Sequence, residues 1–303
     1  MDSASLYGEL LSLMPGRVQA NEPLNRHTSW QIGGPADLFV EPAGRRELQT
    51  AVFFAREWGI PLTVIGYGTN LLVSDRGVRG IVVKIGPKLG RITVRGTELV
   101  AEAGARLARV TAAAFRAGLS GFAFSAGIPG AVGGAVVMNA GAFGHSIGEV
   151  VRNVLILSSD GNFSDKTREE MGFSYRSSIL QREPAIVVEA SFTLQDGAPE
   201  QIRREMKECL DRRKQLHPLA LPNAGSVFKN PHGHSAGQLI EASGLKGLTI
   251  GGARISLKHA NFIVNQGTAT ARDVALLIDR TVLTVRERFG IELQPEVKFI
   301  GDW

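Results

Sequence analysis

A chain of 303 residues has room for two or three domains, and a hydrophobic share of 44% gives it enough core to exclude extended disorder. Its single cysteine, Cys209, excludes an internal disulfide framework and any zinc site built on cysteine pairs. Lys and Arg outnumber Asp and Glu by 34 to 29, which suits an anionic small molecule, and the absence of a basic stripe interleaved with aromatics argues against nucleic acid.

The opening MDSASLYGELLSLMPG has an acidic second residue and no long apolar run. It predicts a short amphipathic helix stopped by Pro15-Gly16 rather than a signal peptide. No window of 18 apolar residues occurs, so no membrane span and a cytoplasmic location are expected. Asn21 to Pro35, containing HTSWQIGGPAD, reads as irregular. Leu48, Ala51, Val52, Ala55 and Trp58 have helical spacing, ended by Gly59. A short strand from Pro61 to Ile65 then runs into Gly66-Tyr67-Gly68-Thr69-Asn70. Strands follow at Gly80–Ile85 and Leu99–Ala103, and a helix at Arg106–Ala117. Ligands in α/β sheets sit at the carboxyl ends of strands, where the glycine pair falls.

Glycines let consecutive N–H groups converge on phosphate oxygens, and Thr69 and Asn70 add neutral donors. The alternative is a plain tight turn. The second glycine segment, Gly121 to Gly144, carries no Lys, Arg, Asp or Glu. Gly127-Ile128-Pro129-Gly130 fixes a turn, Gly133-Gly134 permits close backbone approach, and Asn139 can face a heterocycle's edge. An apolar loop with a fixed-φ proline suits a flat ligand better than a flexible linker. Two such loops point to one large dinucleotide.

A hairpin is expected over Val151–Ser164, turning on Asp160-Gly161, then a short helix at Thr167–Met171 and a strand at Ala185–Leu194. Between them lies Phe173-Ser-Tyr175-Arg176-Ser-Ser, where partial burial of Arg176 would call for an anionic partner such as a carboxylate. At Asp196-Gly-Ala-Pro199 a linker opens a charged helix, Glu200–Gln215. That helix holds Cys209, read as an inert thiol. Beyond it a separate α+β domain is expected. Its elements are a helix capped by Ser235 and running to Ser243, a strand at Asn261–Asn265, a helix at Ala271–Arg288 and an extended Glu292–Ile300.

In NAGSVFKNP, Ser226 is either an acid or donor, or an ordinary turn serine. GSVFK does not match the nucleophile elbow. Lys229 and Asn230 bring charge and an amide nearby. In LQPEVKF, Glu296 is a solvated glutamate or a partly buried one that orients a substrate or moves a proton. His259 reads as structural. No metal cluster is expected.

Taken together, HTSWQIGGPAD, GYGTNLLVSDRGVRGIVV, GIPGAVGGAVVMNAGAFG, FSYRSS, NAGSVFKNP, AGQLIEASGLKG, HANFIVN and LQPEVKFIG resemble, in this order, the UDP-N-acetylenolpyruvoylglucosamine reductase family. The likeness spans nearly the whole chain and implies an α+β chain with an FAD-binding fold of the vanillyl-alcohol oxidase (PCMH) type. The implied domains are an N-terminal helix (1–20), an FAD-binding domain (21–196, subdomains about 21–86 and 87–196) and a substrate domain (197–303).

It implies non-covalent FAD held by Gly66, Tyr67, Gly68, Thr69, Asn70 and Leu71 and by Gly127, Ile128, Pro129, Gly130, Gly133, Gly134, Asn139 and Gly141. Arg176, Ser226 and Glu296 would be catalytic, with Tyr175, Lys229 and Asn230 at the substrate. NADPH would be the hydride donor and the enolpyruvyl ether of UDP-N-acetylglucosamine the substrate, with no obligate protein partner. In place of the long insertion of some members, Pro231-His-Gly-His-Ser235 bridges KNP to AGQLI directly, so the chain resembles the short, second type. Lys229 and the Arg212–Lys214 run are the candidates for the UDP diphosphate. The rival readings are an oxidase on the same fold, with His145 as a flavin linkage, and a non-catalytic nucleotide-sugar binding module.

Overall fold

The computed structural model describes residues 3–303, and the chain divides into two compact units. The first runs to Ala20 and then takes Leu38–Tyr67 and Gly80–Arg213. The second takes Asn21–Asp37, Gly68–Arg79 and Lys214–Trp303. The change of composition at Asp196–Pro199 marks the start of a helix, while the division into units falls at Arg213. The second unit also takes two segments from the amino-terminal quarter.

In the first unit, helices α1 (Ser3–Leu13) and α2 (Arg45–Glu57) form where apolar residues recur every three to four positions, and α2 buries Leu48, Ala51, Val52 and Ala55. Gly16 and Gly59, both at positive φ, follow these helices where an L side chain would be strained. Strands Val18–Pro23, Pro35–Val40, Val78–Lys84 and Leu62–Ile65 lie in that order in one sheet, the last pair parallel. The second half of the first of them, from Asn21, falls in the stretch read as irregular. Its sequence, VQANEP, is polar and mostly exposed, so it lacks the alternation that marks a half-buried strand.

A second sheet is antiparallel throughout, in the order Phe163–Thr167, Val151–Leu157, Ile186–Thr193, Glu98–Glu102, Ile92–Arg95. The expected hairpin is its edge, with Gly161 at positive φ in the connection. The helix expected at Thr167–Met171 is absent: Thr167 ends the strand and hydrogen-bonded turns follow, Met171 N–H reaching Thr167 O at 3.0 Å. Helix α3 (Leu107–Arg116), the short α4 (Val132–Val137) and α5 (Pro199–Leu216) as far as Arg213 complete the unit, with α4 packed on Ile186–Thr193.

The second unit centres on a small antiparallel sheet of Thr249–Ile250, Ala253–Ile255 and Ile263–Asn265, against which α7 (Ala271–Phe289) packs. Helix α6 (Ala236–Ala242) starts where Ser235 Oγ accepts the Gln238 N–H, as its spacing implied. The core contains Trp30, Leu72, Val227, Phe228, Val274, Leu277 and Val297. Trp30, from the stretch read as irregular, is fully buried; its indole N–H donates to Ile263 O at 2.8 Å, and Asn265 Nδ2 donates to Trp30 O at 2.9 Å.

Helix α7 opens with a capping box between Thr270 and Asp273. Asp75 adds a second anion there, its carboxylate accepting from Ala271 N–H (2.8 Å) and Arg272 N–H (3.0 Å). Asp75→Ala leaves those donors and the positive end of the helix uncompensated. The expected loss is about 1 kcal/mol, read as a lower urea midpoint. An unchanged midpoint would show that Thr270 and Asp273 suffice.

Candidate active site

The loop Gly66–Asn70 leaves the strand Leu62–Ile65 at its carboxyl end, and none of its five N–H groups donates within the described residues. Such a run of free donors is what an anionic oxygen needs. Gly68 has positive φ, and a Cβ there would run into the carbonyl of His27, so the turn itself requires glycine. Gly66 differs: its φ is ordinary and a Cβ would meet nothing within 4 Å. Gly134, inside α4, has the same open side although glycine costs a helix about 1 kcal/mol. Neither packing nor backbone conformation demands glycine at these two positions, whereas a group lying against the main chain would.

Within the first unit, Tyr67 of the first glycine loop and the second glycine loop are joined by the segment Ala103–Leu107. On one side Tyr67 Oη donates to Gly104 O at 3.3 Å. On the other, Leu107 N–H donates to Gly130 O, Val132 N–H to Ala105 O and Gly133 N–H to Ala103 O, at 3.1, 3.0 and 2.9 Å. Gly133 packs so closely that a Cβ would lie 3.0 Å from that of Ala103. The Arg106 guanidinium lies over the Tyr67 ring, 4.2 Å from its centroid. Sequence reading placed Arg106 only as the start of a helix; no local signal pairs it with Tyr67.

Arg176 stands at the tip of a two-residue turn closed by reciprocal backbone bonds of Ser174 and Ser177, both 3.1 Å. Its φ of 54° is left-handed, a strained choice for arginine. The turn is braced from beneath. Asn139 Nδ2 donates to Ser174 O at 2.7 Å, Gly148 N–H donates to Asn139 Oδ1 at 2.9 Å, and Gln181 Nε2 donates to Arg176 O at 2.9 Å. Asn139, expected at a heterocycle's edge, therefore spends both ends of its amide on backbone and holds the arginine turn. The half-buried Arg176 donates from Nη2 to Gly141 O at 2.9 Å, and Tyr175, largely exposed, flanks the guanidinium.

Arg213 faces this turn. Its Nε is buried without a hydrogen-bond partner, and its guanidinium, like that of Arg212, lies over Phe143. Burial lowers its pKa from the usual arginine range, and the positive charge of Arg176 pushes the same way. Two arginines that repel each other mark a place where a bound anion is stabilised. Burial also raises the Cys209 pKa, away from the reactive thiolate, in keeping with an inert thiol.

In the second unit the segments of Ser226 and Glu296 are paired. Phe228 bridges Pro295, Glu296 N–H donates to Val227 O at 2.7 Å and Lys229 N–H to Gln294 O at 2.9 Å. The Glu296 segment is also tied to the end of the first glycine loop, Asn70 Nδ2 donating to Glu296 O at 3.1 Å and Lys298 N–H to Asn70 O at 3.0 Å. Ser226 and Glu296 are both half-buried. Lys298, beside Glu296, has its pKa lowered by burial and then by Lys229, with Glu296 opposing. Asn230 Oδ1 accepts the Ala236 N–H at 3.0 Å, so this side chain also caps α6.

Asn261, missed in the sequence, fixes the serine segment. Only 4% exposed, it accepts from Phe228 N–H at 2.9 Å and donates to Phe228 O at 2.8 Å. A polar residue inside the apolar run ANFIV was the available signal. His259 is structural as expected, its Nδ1 accepting the Asn261 N–H at 3.2 Å and its ring packed on Phe262 and His217. His145 pairs with Glu149 at 2.9 Å. Among the described residues no cluster of His, Cys, Asp and Glu could hold a metal, and no helix is long and apolar enough to cross a membrane.

The fold and the paired glycine loops define a flavin-dependent oxidoreductase of the PCMH type. Residues 36–165 match the FAD binding domain model. Phl p 4, a grass pollen allergen with glucose dehydrogenase activity, shares the fold at 21% identity, with a TM-score of 0.51 over 64% of this chain and 44% of that one.

Residues 217–300 match the C-terminal domain model of UDP-N-acetylenolpyruvoylglucosamine reductase. Enzymes of that name from Desulforamulus reducens and Caldanaerobacter subterraneus subsp. tengcongensis are 49% and 48% identical, over 98% and 96% of both chains. The crystal structure of the Thermus caldophilus enzyme superposes with a TM-score of 0.82 at 38% identity, covering 94% of this chain and 99% of that one. The chain belongs to the UDP-N-acetylenolpyruvoylglucosamine reductase family.

Two tests address the supports of the site. Asn139→Ala strands Ser174 O and Gly148 N–H, so a loss of about 2 kcal/mol or more is expected, seen as a fall of several degrees in Tm. No change in Tm would mean that the arginine turn does not rest on this amide. For His259, burial and then the charge of Lys246 lower the pKa from 6.5, with Glu241 opposing. The unfolded chain thus takes up the proton first as pH falls. This contribution to stability is complete above pH 6.5 and is lost progressively below it. Urea midpoints measured from pH 8 to 5 should fall less steeply in His259→Phe than in the wild type. Parallel curves would remove His259 from the acid response.

Proposed function

We propose that the protein reduces the enolpyruvyl ether of UDP-N-acetylglucosamine to UDP-N-acetylmuramate, the step that supplies muramate for peptidoglycan, and that Arg176, Ser226 and Glu296 are its catalytic groups. The observation that supports the assignment of residues is the backbone pairing of the Ser226 and Glu296 segments, the latter also holding Asn70 of the first glycine loop. FAD fits the loops through the free N–H groups of residues 66–70 and the open sides of Gly66 and Gly134. When bound, it supplies hydride, replenished by NADPH.

Reduction of the enol ether adds a hydride to the methylene carbon and a proton to the neighbouring carbon, which bears the carboxylate. Electron density develops on that carboxylate as the hydride arrives. Arg176, held rigid by its strained turn, supplies fixed positive charge to it, and a preorganised charge costs no rearrangement at the moment of reaction. Ser226 gives up its hydroxyl proton to the basic carbon and recovers one from water; Glu296 orients the substrate and the developing enolate. Tyr175, Lys229 and Asn230 line the substrate, and the Arg212–Lys214 run with Lys229 takes the UDP diphosphate. A cytoplasmic location fits these nucleotide substrates.

An oxidase linked covalently through His145 is less well supported, because that ring is engaged with Glu149. Anaerobic mixing with NADPH, followed by addition of the enolpyruvyl substrate, tests the assignment. Ser226→Ala should still bleach the flavin with NADPH, while turnover falls by about 100-fold or more. An unchanged steady-state rate removes the proton-donor role, and NADPH oxidation that never couples to the enolpyruvyl substrate removes the reductase.

A further inference from the structure

Neither glycine loop carries a charge: Gly66–Asn70 and Gly127–Gly141 contain no Lys, Arg, Asp or Glu. A dinucleotide diphosphate brings two negative charges to them. Backbone N–H groups can donate to its oxygens but leave the net charge uncompensated, which favours a nearby cation. Two candidates border the loops in the first unit. Arg213 lies against Gly127 and turns toward Phe143 and Arg176, so it belongs with the arginine turn. Arg106 lies where the loops meet: its backbone bridges Ala131 of the second loop and its guanidinium covers Tyr67 of the first.

No carboxylate among the described residues forms an ion pair with Arg106, and its ring contact is the interaction that holds the side chain. Stacking on an aromatic face fixes a guanidinium without using its five N–H donors, leaving the planar fork available to phosphate oxygens. Tyr67 is itself fixed by its hydroxyl on Gly104 O and by its place in the loop. The arrangement is a preset cation beside an otherwise neutral cradle.

We propose that Arg106, stacked on Tyr67, is the counter-charge for the FAD diphosphate. This rests on the glycine loops being the diphosphate site and adds to it a residue outside both loops. The side chain is exposed, so Arg106→Gln leaves the core untouched. Protein freed of flavin is titrated with FAD at several ionic strengths, following the quenching of flavin fluorescence.

At low salt Arg106→Gln should bind about tenfold more weakly than wild type, the worth of one partly exposed charge-assisted contact. Near 1 M salt, where the screening length falls to about 3 Å, the two dissociation constants should converge. Arg106→Lys should recover part of the low-salt affinity. Equal affinity of Arg106→Gln and wild type at low salt overturns the proposal, as does a deficit of the same factor at every salt concentration, the mark of a packing role. A wild-type protein that binds no FAD overturns the diphosphate site itself, an outcome distinct from either.

Discussion

A loop that presents its N–H groups to a ligand cannot also spend them on its own fold, so something else must hold it. Here that task falls to one short segment, Ala103–Leu107. Two backbone donors of the second loop point into this segment, its own Leu107 N–H donates back to that loop, and the tyrosine of the first loop hangs from it. Gly104 is where the segment is tightest: a Cβ would run into the carbonyl of Gly86. The glycines facing open space can be free only because those facing protein are locked.

The second unit solves a similar problem with side chains. Ser226 lies in a stretch of small residues that is neither helix nor regular sheet. Its neighbours are held from two directions, by the Glu296 segment through main-chain bonds and by both ends of the Asn261 amide. Asn261 is placed in turn by the Nδ1 of His259. The imidazole thus has a reason to remain neutral, since protonation at Nδ1 would break the chain of support at its base.

Much of this was legible in the sequence where one local signal dominates. Helices α2, α3 and α7 follow apolar periodicity and end at glycines, and the Val151–Ser164 hairpin follows Asp160-Gly161. The open N–H groups of the first glycine loop follow from its glycine-rich sequence, because they are a local property. What could not be read is long-range. The Val18–Pro23 strand is paired despite its polar sequence, and Trp30 is buried by a carbonyl 233 residues away. The Thr167–Met171 stretch has helical composition, yet a strand that runs on to Thr167 leaves room only for turns. Asn139 shows the same limit: an amide after a glycine-rich run suggests a ligand, but its partners, Ser174 and Gly148, are settled by the fold.

The distribution of arginine ties these points together. Arg106 stacks on Tyr67, Arg212 and Arg213 on Phe143, and Arg176 beside Tyr175. An arginine paired with a carboxylate would already have its charge answered, and a new anion would gain little from it. An arginine held by an aromatic face is fixed in position with its charge still available. By contrast, arginines such as Arg45 and Arg152 pair with Glu189 and Glu98. Aromatic support is what these four arginines share, although Arg203, which lies over Phe115, pairs with Glu200 as well. It also gives a positive balance of only five charges two concentrated points of action.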